Sequence, residues 1–292
     1  MIPDSLRDHL NGHLDMEIKG CAAVRGGSIA NSCRLETPDA SFFLKYGKRE
    51  VAKTFAGEVA GLNALREACQ SLMVPEVVET REATGDVPGY LLMQWINAGR
   101  LGRRFWEHFG RGLAEMHRVT HDRYGFGQSN HIGRLPQDNE WTEDWPTFFR
   151  HQRLDPQVAR ARESGQWQSD WDAALDRLYL HLPEYLPACP PASVLHGDLW
   201  KGNYMVTATG EPALIDPATY YGHREADLAM TELFGGYDDM FYRAYRDAWP
   251  LEDGYEIRKD IYNLYHLINH LNHFGGSYAG SVAKTLNRVS GV

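Results

Sequence analysis

The residues best suited to chemistry lie in one segment, His196-Gly-Asp198-Leu-Trp-Lys-Gly-Asn203, with Asp216 thirteen positions later in Leu-Ile-Asp-Pro. A proton acceptor, an amide and a second carboxylate in this order suit phosphoryl transfer from ATP. That reaction asks little covalent work of a protein, so catalysis rests on placing an acceptor hydroxyl and neutralising charge with Mg²⁺. Asp198 is assigned the proton of the acceptor hydroxyl. Asn203 offers a carbonyl oxygen and Asp216 a carboxylate to Mg²⁺, a hard cation that prefers oxygen ligands. A lone Asp in a turn is most often a cap or turn former, and His-Gly-Asp by itself carries little weight. The joint order of acid, amide and acid between strand-like segments carries the reading.

The neighbouring elements must position these groups. Ala-Ser-Val-Leu before His196, and Tyr-Met-Val and Ala-Leu-Ile after Asn203, read as short buried strands that brace the loop. In the amino-terminal half, Gly26, Gly27, Ser28 and Ile29 form a glycine turn whose N–H groups can face phosphates. An ordinary hairpin turn has the same composition, and the turn is neither a Walker loop nor the full spaced-glycine signature. Ser41-Phe-Phe-Leu-Lys45-Tyr is a strand with Lys45 and Phe43 on one face, placing Lys45 for the α- and β-phosphates. From Glu50 to Gln70, Val51, Phe55, Val59, Leu62 and Leu65 recur at helical period. Glu58 falls inside that stripe, where a carboxylate is costly unless paired, so a Lys45–Glu58 ion pair is expected; the alternative is that Glu58 reaches solvent at the stripe's edge. Pro88 to Ile96 is an apolar strand expected to end in a hinge. There backbone groups near Gln94, Trp95 and Ile96 meet adenine, with Met93 beside the ring; a plain core strand reads the same way.

The rest predicts a helical lobe. Phe105, Phe109, Leu113 and Met116 share a face within 101–120, Trp171 to Leu182 repeats the pattern, and Ala226 to Phe234 reads as a helix. Residues Tyr124 to Trp145 are rich in Gly, Asn, Asp and Trp, and read as a structured loop that walls the acceptor site. Asp227 is either a buried anchor for the catalytic-loop backbone or a helix cap. Only ten residues separate it from Asp216, which leaves no room for a peptide-binding activation segment and points to a small acceptor. Pro217 restricts the backbone beside Asp216. Trp200, Lys201, Tyr220, His223, Arg224 and Glu225 are candidate acceptor contacts, Trp200 by stacking on a sugar; each has packing between lobes as its alternative. His266, His270 and His273 share a helical face that can bind zinc or simply flank a packed helix.

The catalytic segment, together with the run from Asp216-Pro-Ala-Thr-Tyr-Tyr-Gly-His-Arg-Glu-Ala-Asp to Gly236, resembles the fructosamine kinase (ketosamine 3-kinase) family across nearly the whole chain. The resemblance implies an α+β, bilobal protein-kinase-like fold: a small β-rich ATP-binding lobe over 1–95 with one main helix, and a larger, mostly helical catalytic and substrate-binding lobe over 96–292. It implies ATP- and Mg²⁺-dependent phosphorylation of the 3-hydroxyl of fructosamine- or ribulosamine-type glycated amines, a deglycation activity. The acceptor is then a small or protein-bound ketosamine. Some relatives carry a cysteine in the glycine turn where this chain has Ser28.

Composition agrees. A chain of 292 residues with 43% hydrophobic content can bury two cores. A net charge of −9 disfavours nucleic acid and anionic membranes as partners. Cys21, Cys33, Cys69 and Cys189 form no Cys-x-x-Cys, as expected of reduced thiols. The first residues, with Asp4, Asp8 and Asp15, hold no apolar signal core, and no stretch approaches a membrane span, so the cytoplasm is the expected compartment. The rival functions are another small-molecule kinase, of the aminoglycoside or choline type, and a non-catalytic nucleotide-binding protein.

Overall fold

The structure, a computed structural model, describes residues 2–14, 17–24 and 30–291. Gly26, Gly27, Ser28 and Ile29 lie outside the described residues. In chain order the elements are α1 (Asp4–His13), β1 (Gly20–Ala23), β2 (Asn31–Glu36), β3 (Ser41–Gly47), α2 (Arg49–Ala52), α3 (Phe55–Ala68), β4 (Val77–Arg81) and β5 (Gly89–Gln94). They continue with α4 (Phe105–His117), β6 (Thr120–His121), β7 (Asn130–Ile132), β8 (Leu135–Gln137), α5 (Trp145–Phe148), α6 (Asp155–Glu163), α7 (Asp172–Tyr185) and β9 (Ala192–Leu195). The chain ends through β10 (Tyr204–Val206), β11 (Pro212–Leu214), β12 (Tyr220–His223), α8 (Glu225–Leu233), α9 (Asp239–Ala248), α10 (Tyr255–Phe274) and α11 (Ala279–Ser290).

The first five strands form an antiparallel sheet in the order β1-β2-β3-β5-β4. Because side chains alternate along a strand, each face collects its own partners. Leu44, Tyr90 and Leu92 pack with Leu6 and Leu10 of α1. On the other face, Leu91, Met93 and Phe43 pack with Phe55, Leu62 and Leu65 of α3. Lys45 pairs across the sheet with Leu91, and Phe43 with Met93, so Lys45 points to the α3 side as the alternation requires. The expected continuous helix over 50–70 is interrupted at Lys53 and Thr54, which form a turn between α2 and α3.

Beyond β5 the chain is mainly helical. Helix α4 runs against α9, with Gly110 permitting the approach: a Cβ there would stand 2.3 Å from the Phe241 carbonyl oxygen. Helix α10 packs against α6, α8 and α11, burying Tyr262, Leu264, Ile268 and Leu271 beside Trp145 and Phe149. Helix α11 follows α10 and packs on it. Small two- and three-stranded sheets hold the loops between helices: β9 lies between β6 and β12, and β10 pairs with β11. The loop after β9 and the segment after β11 are therefore pinned side by side. No described helix is long and apolar enough to cross a membrane.

Candidate active site

The loop from His196 to Asn203 leaves β9 and returns into β10, while Asp216 follows β11. Backbone bonds tie the two segments together, with Ala218 N donating to His196 O at 2.9 Å and Ile215 N to Asn203 O at 3.1 Å. Glycine is needed at 197. Its φ is +81°, and a Cβ would meet the Ala218 carbonyl oxygen at 2.1 Å, so a side chain would both strain the loop and separate the two segments. The His196 ring, fully buried, donates from Nε2 to Ile215 O at 2.9 Å and accepts at Nδ1 from Asp198 N at 3.3 Å.

Asp227 is the loop's anchor rather than a helix cap. Its Oδ2 accepts His196 N at 2.7 Å and its Oδ1 accepts Gly197 N at 2.9 Å. Behind it, His117 Nε2 lies 3.2 Å from Asp227 Oδ2, and His117 Nδ1 lies 2.8 Å from the Tyr245 hydroxyl. Burial opposes ionisation of Asp227, but the hydrogen bond from His117, its charge and that of His196, and the Gly197 N–H outweigh it and hold the carboxyl below its ordinary value.

Three predicted groups meet in front of this frame. Asn203 donates from Nδ2 to Asp198 Oδ2 at 2.9 Å and to Asp198 O at 2.8 Å. That commits the amide nitrogen and leaves its oxygen as the atom for a further partner. Burial pushes Asp198 up to about 7, with the nearby charges of Asp216 and Asp227 acting in the same direction and the Asn203 hydrogen bond opposing. Asp216 is the one described non-glycine residue with positive φ, at 53°, a conformation that side chains other than Asn and Asp seldom adopt and that marks strain characteristic of functional positions. Its side chain is 40% exposed, so the carboxylate has an open side.

Lys45 joins the sheet to this centre. Its Nζ donates to Glu58 Oε1 at 2.7 Å and to Asp216 Oδ1 at 2.6 Å, so the ion pair with Glu58 forms and a second carboxylate shares the ammonium. Burial alone would lower the Lys45 pKa, but the charges of Asp216 and then Glu58 outweigh burial and hold it above its ordinary value. A nearly buried cation with two carboxylates is poised to exchange one of them for a phosphate.

Two cavities meet at Ser32, Lys45 and Asp216. One, of about 290 Å³, is bordered by Val24, Met93, Gln94, Trp95 and Ile96 and is the more apolar, as a flat heterocycle requires. The other, of about 210 Å³, contains Asp198, Asn203 and Asp216 together with Glu58, His131 and Trp200. The Asp216 carboxylate and the free amide oxygen of Asn203 are oxygen donors that fit a hard cation such as Mg²⁺.

The remaining candidates are placed elsewhere. Lys201 is exposed and borders neither cavity. Tyr220, His223, Arg224 and Glu225, expected as acceptor contacts, are instead buried with partners in the core and border neither cavity. Tyr220 lies under the Arg153 guanidinium at 4.0 Å, and His223 Nδ1 is 2.7 Å from the Tyr262 hydroxyl. Arg224 stacks on Trp249 at 4.2 Å and donates to Pro250 O at 2.6 Å. Glu225 holds Arg258 at 2.6 and 2.9 Å. The reason is topological: β12 turns inward to pair with β9, carrying the polar run away from the cleft. The three histidines of α10 do not gather on a metal. His270 and His273 bond through Nδ1 to carbonyls one turn back, at 2.8 and 2.9 Å. His273 Nε2 also accepts Arg134 N at 2.9 Å. No group of three His, Cys, Asp or Glu residues suited to a metal occurs among the described residues. Asn130, His131 and Gly133, on the second cavity's wall, were visible in the sequence only as part of the loop expected to flank the acceptor.

The profile of the family described as fructosamine kinase matches residues 4–290. A Synechocystis protein named a probable ketoamine kinase is 38% identical over 267 residues, covering 91% of this chain and 88% of its own. The crystal structure of a candidate fructosamine-3-kinase from Thermobifida fusca superposes with a TM-score of 0.88 at 28% identity, covering 99% of both chains. An aminoglycoside phosphotransferase superposes with a TM-score of 0.62 at 14% identity over 98% of this chain and 95% of its own, which shows a shared bilobal, protein-kinase-like fold and nothing finer. On the strength of the profile match and the Synechocystis relative, the chain belongs to the fructosamine kinase family of kinases.

Proposed function

We propose that this enzyme transfers the γ-phosphoryl group of ATP to the 3-hydroxyl of a ketosamine, a sugar-derived ketoamine of the fructosamine or ribulosamine type. The observation that carries the reading is the convergence of Asp198, Asn203 and Asp216 on one cavity that opens, at Lys45, into a second and more apolar one. Adenine occupies the apolar cavity against the Met93–Ile96 segment, in the hinge between an ATP-binding lobe over 1–95 and a catalytic lobe over 96–292. The glycine turn of Gly26, Gly27, Ser28 and Ile29 is assigned to the phosphates from its sequence alone. Lys45, oriented by Glu58, holds the α- and β-phosphates.

In this reading Asp198 accepts the proton of the 3-hydroxyl as its oxygen attacks, aided by a loop that cannot move away because Asp227 fixes its backbone. Asp216 and the Asn203 amide oxygen hold Mg²⁺, which supplies neutralisation of charge on the transferred phosphoryl. Trp200, beside the base and partly exposed, offers its face to the sugar. The enzyme is assigned to the cytoplasm.

The test is an acceptor panel with ATP and Mg²⁺: fructosamines, ribulosamines, an aminoglycoside and choline. Phosphorylation confined to the ketosamines supports the proposal. Transfer to the aminoglycoside or choline with the ketosamines inert overturns it in favour of the rival small-molecule kinase.

A further inference from the structure

The hairpin formed by β7 and β8 supplies a wall of the Asp198 cavity, through Asn130, His131 and Gly133. It is held on every side. Gln128 Nε2 donates to Ala56 O at 2.9 Å, tying it to α3. Asn130 Nδ2 donates to Thr219 O at 2.8 Å, and Gln137 Nε2 donates to Ala218 O at 3.0 Å, fixing it to the segment just past Asp216. The Tyr265 hydroxyl donates to Gln137 Oε1 at 2.7 Å, and His273 receives the Arg134 N–H at the turn, at 2.9 Å.

Within this fixed wall His131 is the exception. Asn130 and Gln137 are held by protein partners, whereas the His131 ring on the cavity wall has none among the described residues; its Nδ1 is enclosed away from the cavity, which leaves Nε2 as the atom for a ligand. The ring is half-buried, and burial alone lowers its basicity, so it is neutral near neutral pH and carries one donor and one acceptor. A rigid mount bearing an unsatisfied amphoteric group, across a cavity from a general base, is what a site needs to read a hydroxyl. Trp200, two residues after Asp198, borders the same cavity and keeps its orientation through an edge contact with Phe234 at 6.2 Å.

We infer that His131 is a specificity-determining residue that hydrogen-bonds a hydroxyl of the acceptor's sugar portion other than the one phosphorylated, with Trp200 bordering the same sugar. This rests on the proposed ketosamine activity and adds the residue that selects the polyol. Discrimination by such a contact follows from the cost of leaving a buried polar group unpaired when the matching hydroxyl is missing.

The experiment is steady-state kinetics of wild type, His131→Ala and His131→Gln with a fructosamine and with analogues that each lack one hydroxyl beyond the 3-position. His131→Ala raises the acceptor KM about tenfold while leaving the KM for ATP within about twofold, and His131→Gln recovers part of the loss. Removal of the matching hydroxyl costs the wild type about as much and costs His131→Ala nothing further, an outcome that a merely structural role would not give. Wild-type acceptor KM in His131→Ala, or the same penalty for every deoxy analogue in both enzymes, overturns the inference alone. Absence of turnover with every ketosamine in the wild type overturns the activity, and this inference with it.

Discussion

Gly57 precedes Glu58 in α3 and faces the hairpin wall. A Cβ at this position would stand 2.8 Å from Asn130 Cβ and 3.0 Å from Asn130 Cα, where carbon atoms prefer about 3.5–4.0 Å. Asn130 cannot yield, because its side chain donates to Thr219 O at 2.8 Å and accepts from Gln137 Nε2 at 2.8 Å. The helix must retreat by roughly 0.7 Å to restore ordinary contact. That stretches the Lys45–Glu58 contact of 2.7 Å past the outer limit of about 3.2 Å for a good N–H···O bond. Two energies compete. Replacing Gly by Ala inside a helix gains about 1 kcal/mol, while overpacking costs about 1–3 kcal/mol; overpacking wins here because the obstacle is backbone and a bonded side chain. Weakening one charge-assisted bond by about 1–2 kcal/mol corresponds to roughly a 5- to 30-fold fall in kcat/KM for ATP. The assay varies ATP at saturating acceptor and records thermal stability alongside. Gly12, in α1 with nothing within 4 Å of its added Cβ, is the control, and Gly12→Ala raises Tm. If Gly57→Ala keeps the wild-type kcat/KM for ATP and gains stability as Gly12→Ala does, the hairpin does not fix the helix and the argument is wrong.

Asp198→Asn lowers turnover by about 100- to 10,000-fold, the range of a general base, with nucleotide binding retained by calorimetry; near-normal turnover refutes the role given to Asp198. Lys45→Ala raises the KM for ATP and, by stranding Glu58, lowers stability by about 3 kcal/mol. Lys45→Met combined with Glu58→Leu recovers that stability without recovering ATP affinity, and recovery of both would remove Lys45 from the nucleotide site. Burial, then the nearby His270, pushes His266 down to about 3, against about 6.5 in an unfolded chain. Below pH 6.5 the unfolded chain binds a proton that the folded one refuses, so stability present above pH 6.5 is lost as pH falls toward 3. The loss is up to about 1.4 kcal/mol per pH unit, or roughly 2 kcal/mol by pH 5. His117, His196 and His223 are depressed by burial in the same sense. His266→Gln flattens this part of the curve of Tm against pH; an unaltered slope contradicts the assignment.

The centre was legible in the sequence because its parts are local. Asp198, Asn203 and Asp216 sit on two short loops between apolar strands, and spacing alone restricts where they can point. The Lys45–Glu58 pair was legible for a different reason. A carboxylate on an apolar helical stripe has few affordable fates, and a lysine on a facing strand is one of them. The polar run from Tyr220 to Glu225 misled, because nearness in sequence to Asp216 says nothing about the direction a strand turns. Pairing of β12 with β9 and the distant partners Tyr262, Trp249 and Arg258 decide it, and none of these is local. His131 was hidden for the same reason. Its importance depends on the bonds that bring the hairpin back over the cleft, and those bonds join residues far apart in the chain.

The most direct test of the central claim is phosphorus-proton correlation NMR on the product formed from a fructosamine, ATP and Mg²⁺, run for wild type and for Asp198→Asn. The account predicts a single phosphate ester whose phosphorus couples to the proton on carbon 3, present with the wild type and all but absent with the variant. Phosphate on any other oxygen, or equal product from both proteins, contradicts it.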